Sequence, residues 1–487
     1  MSNKPASKGI SAFDFFCIGF GAIVGVGWAV SINKWMANCG GPLPASLGYM
    51  IALVMMVPVA LCYCELAPMM PVAGGGMAYA YRAFNQNISF ISGWAAFGAF
   101  VTIIPWEAIY VCDILSILFP VLKSGNPLYT LAGTDIYLGN IILGAVFSFI
   151  LFYINFKGAS ASASVQRILT IVLLGAGLLA MVAALFNFDT NNFKPFYENV
   201  GRGSHTGFLG GAIAILASAP FFLAGFETIP QAIEDASGDT TSVGKTVVLS
   251  VGLACLFYAA LLFCLGGAFP WQQFYSELKT PAAGNLFQAI YPGGGGTFLY
   301  VFILVGAVCG LLTTWNGFMM ASPRLMMSMA RAYMLPRALA KEHPTYGTPT
   351  NGLYCCLVLS IIGPFLGMGL IDPLTSFSAA GFVLSWFLTS ASCIRLRQKE
   401  PDAHRPYKLP GGVATAWFAA IVMAIVLVLL FIPNNPVFMG GMAIKLFIAW
   451  MILGAILFLS CANERKSVTE EERNASLFAK IGSKVSS

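Results

Sequence analysis

Gly19, Gly21, Gly25 and Gly27 fall within nine residues of an otherwise apolar run, Gly19-Phe20-Gly21-Ala22-Ile23-Val24-Gly25-Val26-Gly27. Glycine is a poor helix former, so such a cluster makes a local break cheap. A break at membrane depth frees N–H and C=O groups that lipid cannot satisfy, and they must face protein, a cavity or a solute. The N–H groups that open the second half-helix, at Gly25, Val26 and Gly27, suit a carboxylate. The released carbonyls at Ala22 and Ile23 suit an ammonium group. About 200 residues later, Ser218-Ala219-Pro220-Phe221-Phe222-Leu223-Ala224-Gly225-Phe226-Glu227-Thr228-Ile229-Pro230 sets two prolines around one glycine and one acid. Carbonyls of Phe221, Leu223 and Ala224 are the matching ammonium ligands, and Phe221 or Phe226 is placed to cover a solute.

Two acids inside apolar runs add chemistry of another kind. Acids at this depth are costly unless paired or functional. Glu227 has two readings, a hydrogen-bonded brace across the break or a group that handles substrate or protons. Glu107 sits in Ile103-Ile104-Pro105-Trp106-Glu107-Ala108-Ile109-Tyr110, the middle of its run. Ionised, it wants a cationic partner: a substrate amine, a basic side chain or a proton. Burial without a partner favours the protonated form, and a carboxyl that changes state near neutrality is a natural proton carrier. It also serves as a neutral acid bonded to another helix. Trp106 offers a cation–π face, but helix neighbours point apart, so only one of the pair need face a cavity. Asp113 lies nearer the end of the run and suits a solvated position.

The elements that carry these groups are membrane spans. Charged residues make up 9% of the 487 and hydrophobic residues 58%, with mean hydropathy +0.78, whereas soluble domains carry about 25% charge. Twelve apolar segments of spanning length are expected, at 13–36, 44–66, 89–118, 138–156, 165–187, 208–231, 245–268, 297–322, 351–370, 374–394, 412–432 and 440–461. The longest external loop is expected at 269–296, and a long polar connection with a short surface helix from Arg324 to Gly352. With the N-terminus in the cytoplasm, 20 Lys and Arg fall inside, 5 outside and Lys445 at a boundary, the bias expected of short cytoplasmic loops. Both termini are then cytoplasmic, with tails at 1–12 and 462–487. The net charge of +6 is spread over these loops and is no nucleic-acid signal. The 12 cysteines lie mostly in apolar runs without metal-ligand spacing and read as small buried hydrophobes,. The first apolar run is long enough to remain as a span, so no cleaved leader is expected.

Breaks in the first and sixth spans are five spans apart, which fits two inverted repeats of five, at 13–187 and 208–394, with spans at 412–461 appended. Corresponding breaks in two halves point to a binding site between them. The glycine run of span one, the Pro71-Val72-Ala73-Gly74-Gly75-Gly76 loop with Tyr79 and Tyr81, and Asn155-Phe156-Lys157-Gly158 form an ordered series. Phe222-Leu223-Ala224-Gly225-Phe226-Glu227, Arg324 with Met329-Ala330-Arg331 and Leu335-Pro336, Gly347-Thr348-Pro349 and Arg405-Pro406-Tyr407 continue it. In this order the series resembles the amino acid–polyamine–organocation transporters over roughly residues 12–410. The resemblance implies an all-α fold of twelve spans, built as a five-plus-five inverted repeat with discontinuous helices one and six. It implies alternating access, with an amino acid or amine held among spans one, three, six, eight and ten. Carried over, the span-one glycines meet the carboxylate, the span-six break meets the amino group and Phe221 stands at an aromatic gate. Glu107 faces the substrate side chain, and Thr313, Thr314, Trp315 and Asn316 line the path. Some proton-coupled relatives carry a lysine in span five; Leu173 takes that place here, so Glu107 or Glu227 is left to carry a proton. A sodium site would use Thr313 and Thr314.

The function expected is secondary transport of an amino acid or related amine across the cytoplasmic membrane, coupled to protons. Uncoupled exchange is the alternative within the class, and a non-transporting solute sensor the alternative outside it. Cationic and neutral amino acids both fit, depending on the state of Glu107. A channel would need a continuous polar stripe. An enzyme would need clustered catalytic groups, whereas His205, His343 and His404 all lie in loops. No cofactor, metal, nucleic acid or obligate protein partner is expected.

Overall fold

The computed structural model describes residues 9–200, 205–278 and 281–479. Among the sequence expectations, the tail residues 1–8 and 480–487 and the loop cations Arg202 and Lys279 lie outside them. The described chain is an all-α bundle plus one short antiparallel hairpin, Tyr129–Leu131 with Thr134–Ile136. Helices dominate because their backbone groups are satisfied within the segment, which an apolar solvent demands. Among the described residues, ten helices are long and apolar enough to cross a membrane, and two shorter apolar helices, Gly207–Ala217 and Thr350–Leu366, accompany them. This is a multi-pass membrane protein.

The first apolar run does not form one helix. It divides into α1 (Ala12–Val24), α2 (Gly27–Val30) and α3 (Ile32–Cys39). Ser11 and Asp14 form a capping box that fixes the start of α1,. α4 (Pro42–Met69) follows, then the short α5 (Gly76–Ala83), α6 (Gln86–Leu118), α7 (Leu138–Phe156) and α8 (Ala159–Leu185). The second broken region comprises α9 (Gly207–Ala214), α10 (Ala219–Phe222) and α11 (Thr228–Ala232), and α12 (Thr240–Ala268) follows it. Each broken region is thus succeeded by a long helix, and those two, α4 and α12, pack along each other.

The 269–296 segment holds two short helices, α13 (Trp271–Glu277) and α14 (Ala282–Ile290). α15 (Gly294–Arg331) runs nine residues past the expected end of its span, 322. The polar connection therefore starts after Arg331, not at Arg324. Arg324 stays helical and buried because its guanidinium finds partners there: Nη1 donates to the Met320 carbonyl at 2.8 Å and Nη2 pairs with Asp235 at 2.9 Å. The remainder holds one short helical turn at Arg337–Ala340. α16 (Thr350–Leu366), α17 (Ile371–Lys399), α18 (Val413–Phe431) and α19 (Gly441–Ser460) complete the apolar helices. α20 (Ala462–Lys466) and α21 (Glu470–Leu477) follow.

One buried charge cluster ties α4 to α17. Glu65 is fully buried and meets Arg397 in a two-pronged pair, Nε to Oε1 at 2.8 Å and Nη2 to Oε2. Arg405 Nε stands 3.4 Å from Oε1, and the Leu409 N–H donates to Oε2 at 2.8 Å. The cluster fastens the segment after α17 onto the bundle. All 12 cysteines are unpaired, and ten are buried.

Candidate functional site

The two broken regions meet backbone to backbone. Gly225 adopts φ +134°, and a Cβ there would lie 2.6 Å from both the Ala22 carbonyl carbon and the Ile23 nitrogen. Glycine is needed on both counts, for the backbone angle and for the approach. Gly25 adopts φ +47°, and its added Cβ would meet the Thr314 hydroxyl at 2.5 Å. Helix α1 ends there with the Gly25 N–H still donating to the Gly21 carbonyl at 3.3 Å, so Gly25 is not one of the free donors expected of it; the groups left are those that open α2,.

Span-one carbonyls are met by hydroxyls from three helices. Thr313 Oγ1 donates to Gly21 at 2.9 Å and Thr314 Oγ1 to Ala22 at 3.3 Å. Tyr258, on α12, lies within donor distance of Ile23 and Val24, at 3.1 and 2.7 Å. From α8, Thr170 Oγ1 donates to Cys17 at 3.0 Å and Gln166 Nε2 to the Thr313 carbonyl at 3.0 Å. A Cβ on Gly21 would strike Thr170 and Gln166. Both side chains stand against Gly21, and neither titrates; Leu173, further along α8, is fully buried. Asn316 of α15 joins Gln166 and Ser162 of α8 and Asn155 of α7 in one buried polar network.

At the second break the Glu227 carboxylate reaches back. Oε2 accepts the Gly225 N–H at 2.8 Å and Oε1 accepts the indole N–H of Trp386 on α17. Glu227 therefore spans the interruption and fastens it to another helix. Phe226 stacks on Trp386 and meets Tyr63 edge-on.

Between the breaks lies a cavity lined by residues 22–27, Ile103, Trp106, Glu107, Phe221, Phe222, Ala224, Thr314 and Phe318. Of the expected site residues, Ala22, Ile23, Gly25, Val26, Gly27, Glu107, Phe221, Ala224 and Thr314 come together here. Leu223 and Phe226 are not among the lining residues; Leu223 packs toward Met56 and Met423. Trp106 and Glu107 both reach the cavity, although only one was required to. The Trp106 ring stands 5.1 Å from that of Phe221, and its N–H donates to Thr375 at 3.0 Å. Glu107 is 2% exposed, and its Oε2 has no hydrogen-bond partner. The free volume is about 20 Å³, room for about one water. A solute the size of an amino acid would enter only after the walls part.

Sequence reading missed Ile103, Phe222 and Phe318 as lining and Tyr258 and Trp386 as supports. Ile103 and Phe318 are apolar and lie one helical turn from Glu107 and Thr314, which is the signal in the sequence that marks them,. Nothing local in sequence ties Tyr258 or Trp386 to the breaks.

The family model described as "Amino acid permease" matches residues 10–458. The chain is 23% identical to the branched-chain amino acid permease BcaP of Bacillus subtilis over 472 residues, 96% of each chain. It is 23% identical to the methylthioribose transporter of the same organism, over 94% of each. Its aspartate-proton symporter is 24% identical, over 83% of this chain and 76% of that one. Together with a bundle of membrane-spanning helices around a closed cavity, the match assigns transport and not catalysis. The chain belongs to the amino acid permease family of the amino acid–polyamine–organocation superfamily, the carriers that move small solutes across a lipid bilayer.

Proposed function

We propose that the protein imports a neutral, apolar amino acid with a proton, by alternating access to the cavity between the two breaks. The observation that carries this is the cavity itself. Two helix interruptions supply backbone groups at one point, and beside them stands a buried carboxyl with an unpartnered oxygen. The first N–H groups of α2 hold the substrate carboxylate. Carbonyls of Phe221 and Ala224, with those of Ala22 and Ile23, hold the ammonium; Leu223, outside the lining, drops out of that set. Ile103, Trp106, Phe221 and Phe318 enclose an apolar side chain. Glu107 takes and releases the coupled proton, and Glu227 braces the second break. Trp106 and Phe221 close the cavity toward one side.

The frame for this cycle is a twelve-span fold with inverted repeats at 13–187 and 208–394 and two appended helices. Two interruptions, each followed by one of the packed pair α4 and α12, favour it. Both termini face the cytoplasm, in keeping with the bias of Lys and Arg. The relatives include a permease named for branched-chain amino acids and a symporter named for protons; both features fit an apolar cavity holding one acid.

A second reading rests on the same unpartnered oxygen. If Glu107 stays ionised, a cationic amino acid or amine offsets the cost of burying the charge. A competition panel of neutral, dibasic and polyamine solutes in proteoliposomes, run on wild type and Glu107→Gln, separates the two. Neutral competition in both proteins, with accumulation following an imposed pH gradient at clamped voltage only in wild type, is the expected result. Competition by dibasic solutes that disappears in Glu107→Gln supports the second reading. Accumulation driven only by internal solute makes the protein an exchanger.

A further inference from the structure

Helix α21 folds back onto the bundle. It opens with a capping box between Thr469 and Glu472 and ends with Leu477, which is 1% exposed. The next residue, Phe478, meets the Tyr81 ring of α5 edge-on at 6.3 Å. Arg473 Nη1 donates to the carbonyls of Arg465 and Val468, at 2.8 and 2.5 Å. With the Gln86 amide turned so that its oxygen faces the guanidinium, Arg473 also donates to it from Nε at 2.6 Å and Nη2 at 3.1 Å. Arg337 Nη1, beyond the end of α15, stands 3.5 Å from Ser476 Oγ. One short helix thus touches α5, the start of α6 and the segment after α15.

What α5 holds makes this seat consequential. The loop leading into it donates its Ala73 N–H to Glu234 and its Gly74 N–H to Gln231, each at 2.8 Å. Both acceptors belong to the end of the second broken region. That end also carries the start of the first one, through Ile10 N–H to the Asp235 carbonyl at 2.9 Å and Ser237 N–H to the Ile10 carbonyl at 3.0 Å. Arg331 and Arg324 pair with Glu234 and Asp235 beside it. A continuous set of contacts therefore runs from α21 through α5 to the ends of both broken helices. The seat itself is thin. A cleft of about 950 Å³ opens beside it, lined by Arg82, Asn87, Lys399, Glu400 and Glu470 among others, so much of the flank of α21 faces solvent.

We propose that α21 is a releasable latch on the cytoplasmic end of the carrier. Docked, it stiffens α5 and the 71–76 loop and so holds the ends of both broken helices closed. Released, it lets that end open sooner. The proposal rests on the alternating-access reading and on a cytoplasmic position for this end.

Leu477→Asp in the full chain places a charge in the seat. Hydrogen exchange, read by mass spectrometry on purified protein, is expected to rise at least threefold in 470–478, 73–83 and 231–237. Initial uptake into proteoliposomes is expected to rise at least twofold. Free exchange of 470–478 with 73–83 and 231–237 matching wild type overturns the latch, as does faster exchange with unchanged uptake. If α21 stays protected in Leu477→Asp, a chain ended at Val468 removes it, and the same two segments decide. Exchange needs no transport: wild-type vesicles that take up nothing defeat the carrier reading, and the exchange rates still decide whether α21 restrains the broken helices.

Discussion

Glu107 and Glu227 are both buried acids near the same helix breaks, and their hydrogen-bond partners differ. Glu227 accepts one backbone and one indole N–H, and hydrogen bonds to a charged group contribute about 1.5–3 kcal/mol each. In Glu227→Gln one acceptor oxygen becomes a second donor facing a donor. The expected result is a fall in melting temperature in detergent and at least tenfold slower uptake. Glu107→Gln leaves shape intact and removes no hydrogen bond from Oε2, which has none. Stability within about 1 kcal/mol of wild type is expected, together with loss of pH-driven accumulation and retained exchange. A large loss of stability in Glu107→Gln would show that the acid is structural. From sequence, the depth of both acids was legible, because a charge in an apolar run stands out. The difference in their partners was not, since Trp386 lies 159 residues from Glu227.

The broken helices are the elements on which the site depends, and glycine marks both. Gly225→Ala forces a Cβ to within 2.6 Å of the first broken helix at φ +134°, and such overpacking costs about 1–3 kcal/mol. Gly25→Leu fills the gap beside Thr314 and is expected to abolish solute binding in monodisperse protein. Unchanged affinity in purified Gly25→Leu removes the binding role from the first break. Where the helices break could be read from glycine and proline. Which way the pieces face could not: past Gly225 the helical period restarts, so Phe226 turns to Tyr63 and Trp386 and away from the cavity. The end of α15 was misplaced for a related reason. Arg324 looks like the start of a polar loop until Asp235, far along the chain, supplies its partner.

Across the whole molecule, hydropathy was the most legible property, and it located the apolar helices. Charge pairing was the least, because partners such as Glu65 and Arg397 are 332 residues apart. Removing one member of a buried pair costs about 3–5 kcal/mol. Arg397→Ala should therefore lower thermal stability far more than Lys399→Ala, whose ammonium makes an exposed contact with the Arg82 carbonyl. Melting of the two variants in the same detergent tests this, and equal stability would show that the cluster around Glu65 is not a fastening.

The narrow cavity also has an electrical meaning. Ions and protons cross a membrane protein along connected water, and an apolar constriction that dries out stops them. A space of about 20 Å³ walled by Ile103, Phe222 and Phe318 holds no such file. In the arrangement described, the protein is part of the membrane's insulation: a membrane can hold many copies without ions leaking through them.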